Sequence, residues 1–149
     1  YKQLHLLKKY GAAVFASIGS GVAASVVSIF LMCRLMGLSH VNYVTLLPKS
    51  ITTAIGMGVS EEAGGIVTLT VMSIILTGVI GNVLGELVFR ITGVRHPIAR
   101  GLALGTSAHA IGTAKALELG EIEGAMSSLS IAVAGLMTVI AVPIAANLI

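Results

Sequence analysis

The 149-residue sequence has no aspartate, a single cysteine, three prolines and few charges of either sign. Charged residues make up 10% of it, against roughly 25% in a soluble domain. Without aspartate, and with no nucleophile elbow, phosphate-cradling loop or cluster of metal ligands, nothing here supports soluble enzyme chemistry. No enzyme activity, cofactor or metal is therefore expected. His5, His40, His96 and His109 are scattered, and His96 beside Pro97 reads as loop. The lone Cys33 excludes an internal disulfide and offers no zinc spacing; at the end of a hydrophobic run it reads as packing. Aromatic residues are 4% of the chain and the basic residues are dispersed, so neither a basic stripe nor an aromatic platform points to nucleic acid.

What the chain does have is long uncharged stretches. Tyr10 to Cys33, Ala63 to Gly85 and Gly124 to Ile149 carry no charge, and each exceeds the ~20 helical residues that span a bilayer core. The stretches do not alternate in the ten-residue pieces of a transmembrane barrel, and they are too long for buried strands. The expectation is an all-α polytopic membrane protein. Its single transmembrane domain over 1–149 has spans at about 10–35, 64–89 and 124–149. The chain opens at Tyr1 on a short amphipathic piece ending in Lys8-Lys9, which suggests part of a longer protein, and no signal-peptide cleavage site follows the first run.

The first span is rich in small residues, among them Ala12, Ser17, Gly19, Gly21, Ala23, Ala24 and Ser25, which let helix backbones approach closely in lipid. It is expected to lie inside the bundle, and the same face makes homo-oligomers an expectation. Between the spans lie two interrupted hydrophobic segments, at about 44–60 and 101–119. Pro48 disfavours helical geometry at Leu47, Ser50 or a neighbour then caps a short helix, and Gly56 and Gly58 weaken its far end. The second segment is broken by glycines around Thr106-Ser107-Ala108-His109. Shifted by 60 residues, the chain matches itself at Ile51, Thr53, Ala54, Glu61, Gly64, Leu69, Leu76, Val79 and Ile80. Matched segments broken by Gly or Pro are the best sequence pointer to a transporter's substrate site.

Arg90, Arg95 and Arg100 cluster between the second span and the second interrupted segment, which places that loop on the cytoplasmic side. Glu61, Glu62, Glu121 and Glu123 flank the other ends of the spans. If the interrupted segments cross fully, both acidic pairs lie outside and the copies run parallel; if they re-enter, the copies are inverted. Sequence leaves both open.

Helix starts at membrane-depth breaks offer unpaired N–H groups and positive partial charge. The residues there are Lys49, Ser50, Thr52 and Thr53 in the first segment, and Thr106, Ser107, His109 and Thr113 in the second. Together they suit a small carboxylate: hydroxyls grip the oxygens and a cation balances the charge. Each also has a blander reading. Lys49 can snorkel to headgroups, the hydroxyls can bond their own backbone, and His109 can be a neutral histidine bonded to a neighbouring helix. An ionisable group inside a membrane segment is nevertheless a functional candidate by default. His109, Glu61 and Glu121 are the candidates for proton coupling. Asn82 reads as a bond between helices, and Gly81-x-x-x-Gly85, Gly101-x-x-x-Gly105 and Gly120-x-x-x-Gly124 as close helix contacts.

The interrupted segments carry a resemblance. Leu46-Leu47-Pro48-Lys49-Ser50-Ile51-Thr52-Thr53 resembles the LPKS-x-TT motif of the LrgB/CidB family of antiholin-like membrane proteins. Ala99 to Ala114, continued by Glu118 to Ala125, resembles its second motif. Many members have proline where this chain has Ala54. The resemblance implies further membrane segments ahead of the position matching Tyr1, and a fold related to inverted-repeat secondary transporters with broken or re-entrant helices. It also implies two functions. One is transport of small monocarboxylates, as in the plastid glycolate/glycerate translocator and bacterial pyruvate-uptake systems. The other is modulation of murein hydrolase export and cell lysis beside a small LrgA/CidA-like membrane partner, in the bacterial cytoplasmic membrane. Membrane lipid and a small carboxylate are the remaining expected partners.

Overall fold

The structure is a computed structural model that describes residues 4–148, with side chains from Tyr10 onward. The described residues form α1 (Leu4–Met36), α2 (His40–Leu46), α3 (Thr53–Glu62), α4 (Val67–Thr92), α5 (Pro97–Leu119), α6 (Glu121–Ala145) and a 3-10 turn, Ala146–Leu148. Tyr10–Met36, Val67–Thr92 and Glu121–Leu148 are long and apolar enough to cross a membrane. Two boundaries differ from those read off the uncharged runs. α4 starts at Val67 rather than near 64, because Gly64 takes φ 77° and turns the chain. α6 starts at Glu121 rather than 124, because Glu121 and Glu123 sit in its first turn, where the helix dipole favours acidic groups.

α5 is not one straight rod. His109 has φ 43°, ψ −135°, far from helical values. A Cβ added at Gly112 would lie 2.6 Å from the Leu104 carbonyl oxygen and 2.7 Å from the Ala108 Cβ. In a straight helix, residues eight apart are separated by about 12 Å. Residues 110–119 therefore double back along residues 97–108. The side contacts agree: Gly85 of α4 faces Leu104 on the outgoing limb, while its neighbour Glu86 meets Lys115 on the returning limb at 3.4 Å. Phe89, Leu104 and Ala116 close one apolar cluster around both limbs. Gly101 then backs onto Glu123, so α6 begins beside the start of α5.

The chain from α2 to α3 reverses in a similar way. α2 stops at Leu46, residues 47–52 turn without forming helix, and Thr52 begins α3 from extended geometry. Gly56 lies close to the Pro48 carbonyl, again eight residues back. Hydroxyls fasten this pair to α4. Thr70 donates to the Thr45 carbonyl at 2.9 Å, Ser60 and Thr70 share a bond of 2.6 Å, and the Ile66 N–H donates to the Thr45 hydroxyl at 2.8 Å.

The bundle thus has two distinct ends. Val14 and Ile18 of α1 pack with Leu102 and Met126 toward the end that carries Arg90, Arg95 and Arg100, referred to below as the arginine end. Ile29 and Cys33 pack with Tyr43, Val44, Leu47, Val59, Val142 and Ala145 at the opposite end, where the Tyr43 hydroxyl donates to the Ala145 carbonyl at 2.9 Å. The turn at 47–52 approaches the middle of α1 from this second end, through a Ser50–Ser25 hydroxyl contact of 3.2 Å. His109 approaches the middle of α4 from the arginine end, against Gly78.

α1 departs from expectation. Its buried face is Val14, Ile18, Val22, Ile29 and Cys33, whereas Ser17, Ser20, Ala23, Ala24 and Ser28 are exposed. Apolar side chains at helical spacing fill the space against α5 and α6, while the small residues, with little volume to contribute, border open grooves. The tightest glycine contacts lie elsewhere, between α5 and its neighbours. A Cβ at Gly105 would collide with the Ser127 carbonyl and the Ser130 hydroxyl of α6. Because a backbone oxygen cannot swing aside, Gly105→Ala should destabilise the protein by about 1–3 kcal/mol. Thermal unfolding in detergent checks this, with Gly58→Ala as a neutral control because nothing lies near Gly58.

Candidate functional site

A groove of about 810 Å³ runs between α1 and the outgoing limb of α5 and ends at the turn between α2 and α3. Its walls carry Ser17, Ser20, Ser25 and Ser28 from α1, Thr106 and Ser107 from α5, and Lys49 and Ser50 from the turn. The sequence explains the local geometry. Pro48 ends helical pairing after α2, so Lys49 and Ser50 project from non-helical backbone. The Lys49 ammonium donates to the Ser50 hydroxyl at 3.0 Å, and Ser50 in turn contacts Ser25 at 3.2 Å. No carboxylate forms an ion pair with Lys49 among the described residues; the ion pairs there join Glu86 to Arg90 and Lys115, and Lys115 to Glu118. Thr106 lies at the groove's inner edge, its hydroxyl buried and without a hydrogen-bond partner. It also lines a much smaller cavity shared with Ser25, Ser50, Ala134 and Thr138.

His109 and Thr113 face a different way. His109 is buried, with Nε2 2.9 Å from the Ile74 carbonyl of α4. A carbonyl only accepts, so Nε2 carries the hydrogen and Nδ1 is the ring's acceptor in the neutral tautomer. The Thr113 hydroxyl donates to the His109 carbonyl at 3.0 Å and pairs with Ser127 of α6 at 2.6 Å. The Asn82 amide donates across from α4 to the Ile111 carbonyl at 2.8 Å, the interhelical bond its position suggested. These groups satisfy backbone and hydroxyls at the break itself.

Four of the candidates, Lys49, Ser50, Thr106 and Ser107, therefore share one groove, while His109 and Thr113 sit on the α4 and α6 side of α5. Thr52 and Thr53 are half-buried at the start of α3 and line no groove described above. Glu61 and Glu121 are exposed at opposite ends of the bundle, but Glu123 is buried, its carboxylate folded back toward Gly120 at the α6 start. The residues that sequence reasoning missed are on α1. Ser17 and Ser25 were read there as packing residues, and Ser20 and Ser28 were not singled out. The signal is the recurrence of serine every three to five positions along the uncharged stretch of α1 between Tyr10 and Cys33.

This architecture defines a polytopic helical membrane protein with two chain reversals inside the bundle. The chain belongs to the LrgB-like family, which matches residues 1–148. It is 41% identical over 143 residues to proteins named antiholin-like protein LrgB from Bacillus cereus (strain B4264) and Bacillus anthracis (strain CDC 684 / NRRL 3495), covering 96% of this chain. The chain spans 62% of the length of these curated relatives. No solved structure matches it. Family membership and the three apolar helices make it an integral membrane protein.

His109 separates a backbone role from an imidazole role. Its φ and ψ lie where glycine is at ease and other residues are strained by about 1–3 kcal/mol. His109→Ala should lose the Ile74 bond and keep the strain; His109→Gly loses the bond and relieves it. The glycine variant should be the more stable of the two by about 1–2 kcal/mol in thermal unfolding. Equal stabilities would mean that the backbone at 109 relaxes.

Proposed function

We propose that the protein is a secondary transporter of small monocarboxylates such as pyruvate, glycolate or glycerate, with Lys49, Ser50, Thr106 and Ser107 contacting the anion. The observation that carries this reading is Lys49, half-buried near mid-span beside hydroxyls and without a carboxylate partner among the described residues. A cation held inside a membrane protein is costly unless an anion or water meets it. The two reversals approach the centre from opposite ends, and this is the support for an inverted-repeat relationship, in which the substrate sits between the repeats. Thr52 and Thr53 belong to the first break, where α3 starts, and Thr113 holds the second by donating to the His109 carbonyl. For proton coupling, His109 is preferred over Glu61 and Glu121, because it is the group at mid-span. Protonation at Nδ1 would leave its Nε2–H bond to Ile74 intact.

The relatives' name favours a second reading, an antiholin-like role in cell lysis and murein hydrolase export, in which the membrane partner would be a small LrgA/CidA-like protein. Self-association and a place in the bacterial cytoplasmic membrane fit either reading.

Uptake of labelled pyruvate or glycolate into proteoliposomes of the full-length protein separates them. The transporter reading expects saturable uptake. Removing one partner of a desolvated charge pair costs about 2–5 kcal/mol, so Lys49→Gln should raise the apparent KM roughly 30-fold or more. Unsaturable leak of unrelated solutes would indicate a pore. Absence of flux through demonstrably folded protein would leave the lysis-linked role without transport.

A further inference from the structure

The serines of α1 have no assigned role, yet their arrangement has direction. Ser17, Ser20 and Ser28 are exposed on a helix whose other exposed residues are mostly apolar, and all three face the 810 Å³ groove. At the arginine end this groove continues into a second of about 260 Å³. The two share Ser17, Ala99 and Leu102, and the second reaches Tyr10 and His96. At the inner end it meets Lys49, Ser50 and Ser25, and the small cavity under Thr106. Among the described residues, the Thr106 hydroxyl is a buried side-chain oxygen without a partner, on a residue that is 91% buried, lines the small cavity and packs its methyl group against Gly21. A buried hydroxyl left unpaired is destabilising, and a ligand oxygen or a water arriving there would satisfy it. Beyond this point the way is shut. Tyr43, Val44, Leu47, Val142 and Ala145 are at most a few per cent exposed, and the Tyr43–Ala145 hydrogen bond crosses the same region.

We propose that the serine row of α1 is the aqueous path by which a small anion reaches Lys49 from the arginine end, and that Ser25 and Thr106 complete the binding site at its inner end. The arginine end is the cytoplasmic face by the positive-inside rule, so the conformation described is open to the cytoplasm and closed by the Tyr43 plug. Hydroxyls line such a path without adding charge: Ser20 donates to the Ser17 carbonyl and Ser28 to the Ser25 carbonyl, each at 2.8 Å, so the wall is internally satisfied and still offers oxygen lone pairs to water. Among the described residues that line the groove, Lys49 carries the positive charge, and it places that charge at the inner end.

The inference rests on the transporter reading for its ligand but not for its geometry, and the test keeps the two apart. In full-length protein with Cys33→Ala, single variants Ser17→Cys, Ser20→Cys and Ser28→Cys are exposed to a membrane-impermeant, negatively charged thiol reagent from each side of sealed vesicles. Arg95→Cys and Val41→Cys, exposed at opposite ends, report sidedness. The three serine positions should react from the Arg95 side and not from the Val41 side. Millimolar pyruvate should slow modification of Ser28→Cys, and adding Thr106→Val should abolish that protection without changing the labelling. Reaction from the Val41 side, or from neither side while Arg95→Cys reacts, overturns the path. One-sided labelling without pyruvate uptake or protection leaves the path standing and overturns the monocarboxylate reading. Uptake without labelling does the reverse.

Discussion

A chain that turns back inside a membrane has no water to satisfy the backbone it exposes, and most of the polar chemistry in this protein answers that constraint. At the second reversal, Asn82 meets the Ile111 carbonyl, Thr113 meets the His109 carbonyl, and His109 itself spends its N–H on Ile74. At the first, Thr45 supplies both the oxygen that receives the Ile66 N–H and the carbonyl that receives the Thr70 hydroxyl. Each reversal also needs its limbs and their neighbours to come very close, and glycines at 56, 78, 81, 85, 101, 105 and 112 make that room. Satisfaction and proximity are thus one requirement. Polar side chains can reach the broken backbone only because missing side chains let the helices touch.

Against this background, the polar residues fall into two groups with different physical jobs. Those on the α4 and α6 side of α5 have near neighbours as partners and hold geometry; His109 belongs with them by its bond and its backbone. Those on the α1 side are incompletely used. Lys49 has a hydroxyl where an ion would be expected, and Thr106 has a buried oxygen with nothing to bond. This contrast is what supports proposing the α1 side, rather than the His109 break, as the place where an anion would bind.

Much of this was legible in the sequence, for identifiable reasons. The spans follow from charge-free length, and the two interrupted segments from Pro48, from the glycines and from the 60-residue self-match. The direction of α5 was not legible, because crossing and re-entering put the same residues in the same order; only the closeness of Gly112 to Leu104 and of Lys115 to Glu86 distinguishes them. Nor was the division of labour between His109 and Lys49, since both read as rare polar residues at a break. The face of α1 was misjudged because serine and alanine serve helix packing and water-lined grooves equally well in composition. The neighbours decide, and here the branched residues Val14, Ile18 and Val22 took the packing role.

The unequal quality of the contacts also limits how the bundle can move. α5 is locked to α4 and α6 by glycine contacts in which any Cβ would strike backbone or a neighbouring side chain, and by hydroxyl pairs such as Thr113–Ser127. Packed interfaces of that kind do not deform gradually. α1 meets the outgoing limb of α5 through apolar contacts around Leu102, one close approach of Gly21 to Thr106, and an open groove beside them. At the far end α1 is instead joined, through Ile29 and Cys33, to the α2–α3 pair and the end of α6. The groove's mouth is therefore the least constrained part of the bundle, whereas the Lys49 turn is fastened to α4 through Thr45, Ser60 and Thr70, and the His109 break is held between α4 and α6. On the transporter reading proposed above, closure would be a movement of α1 at the groove's mouth, with Lys49, Thr106 and Ser107 held in place by α4 and α6.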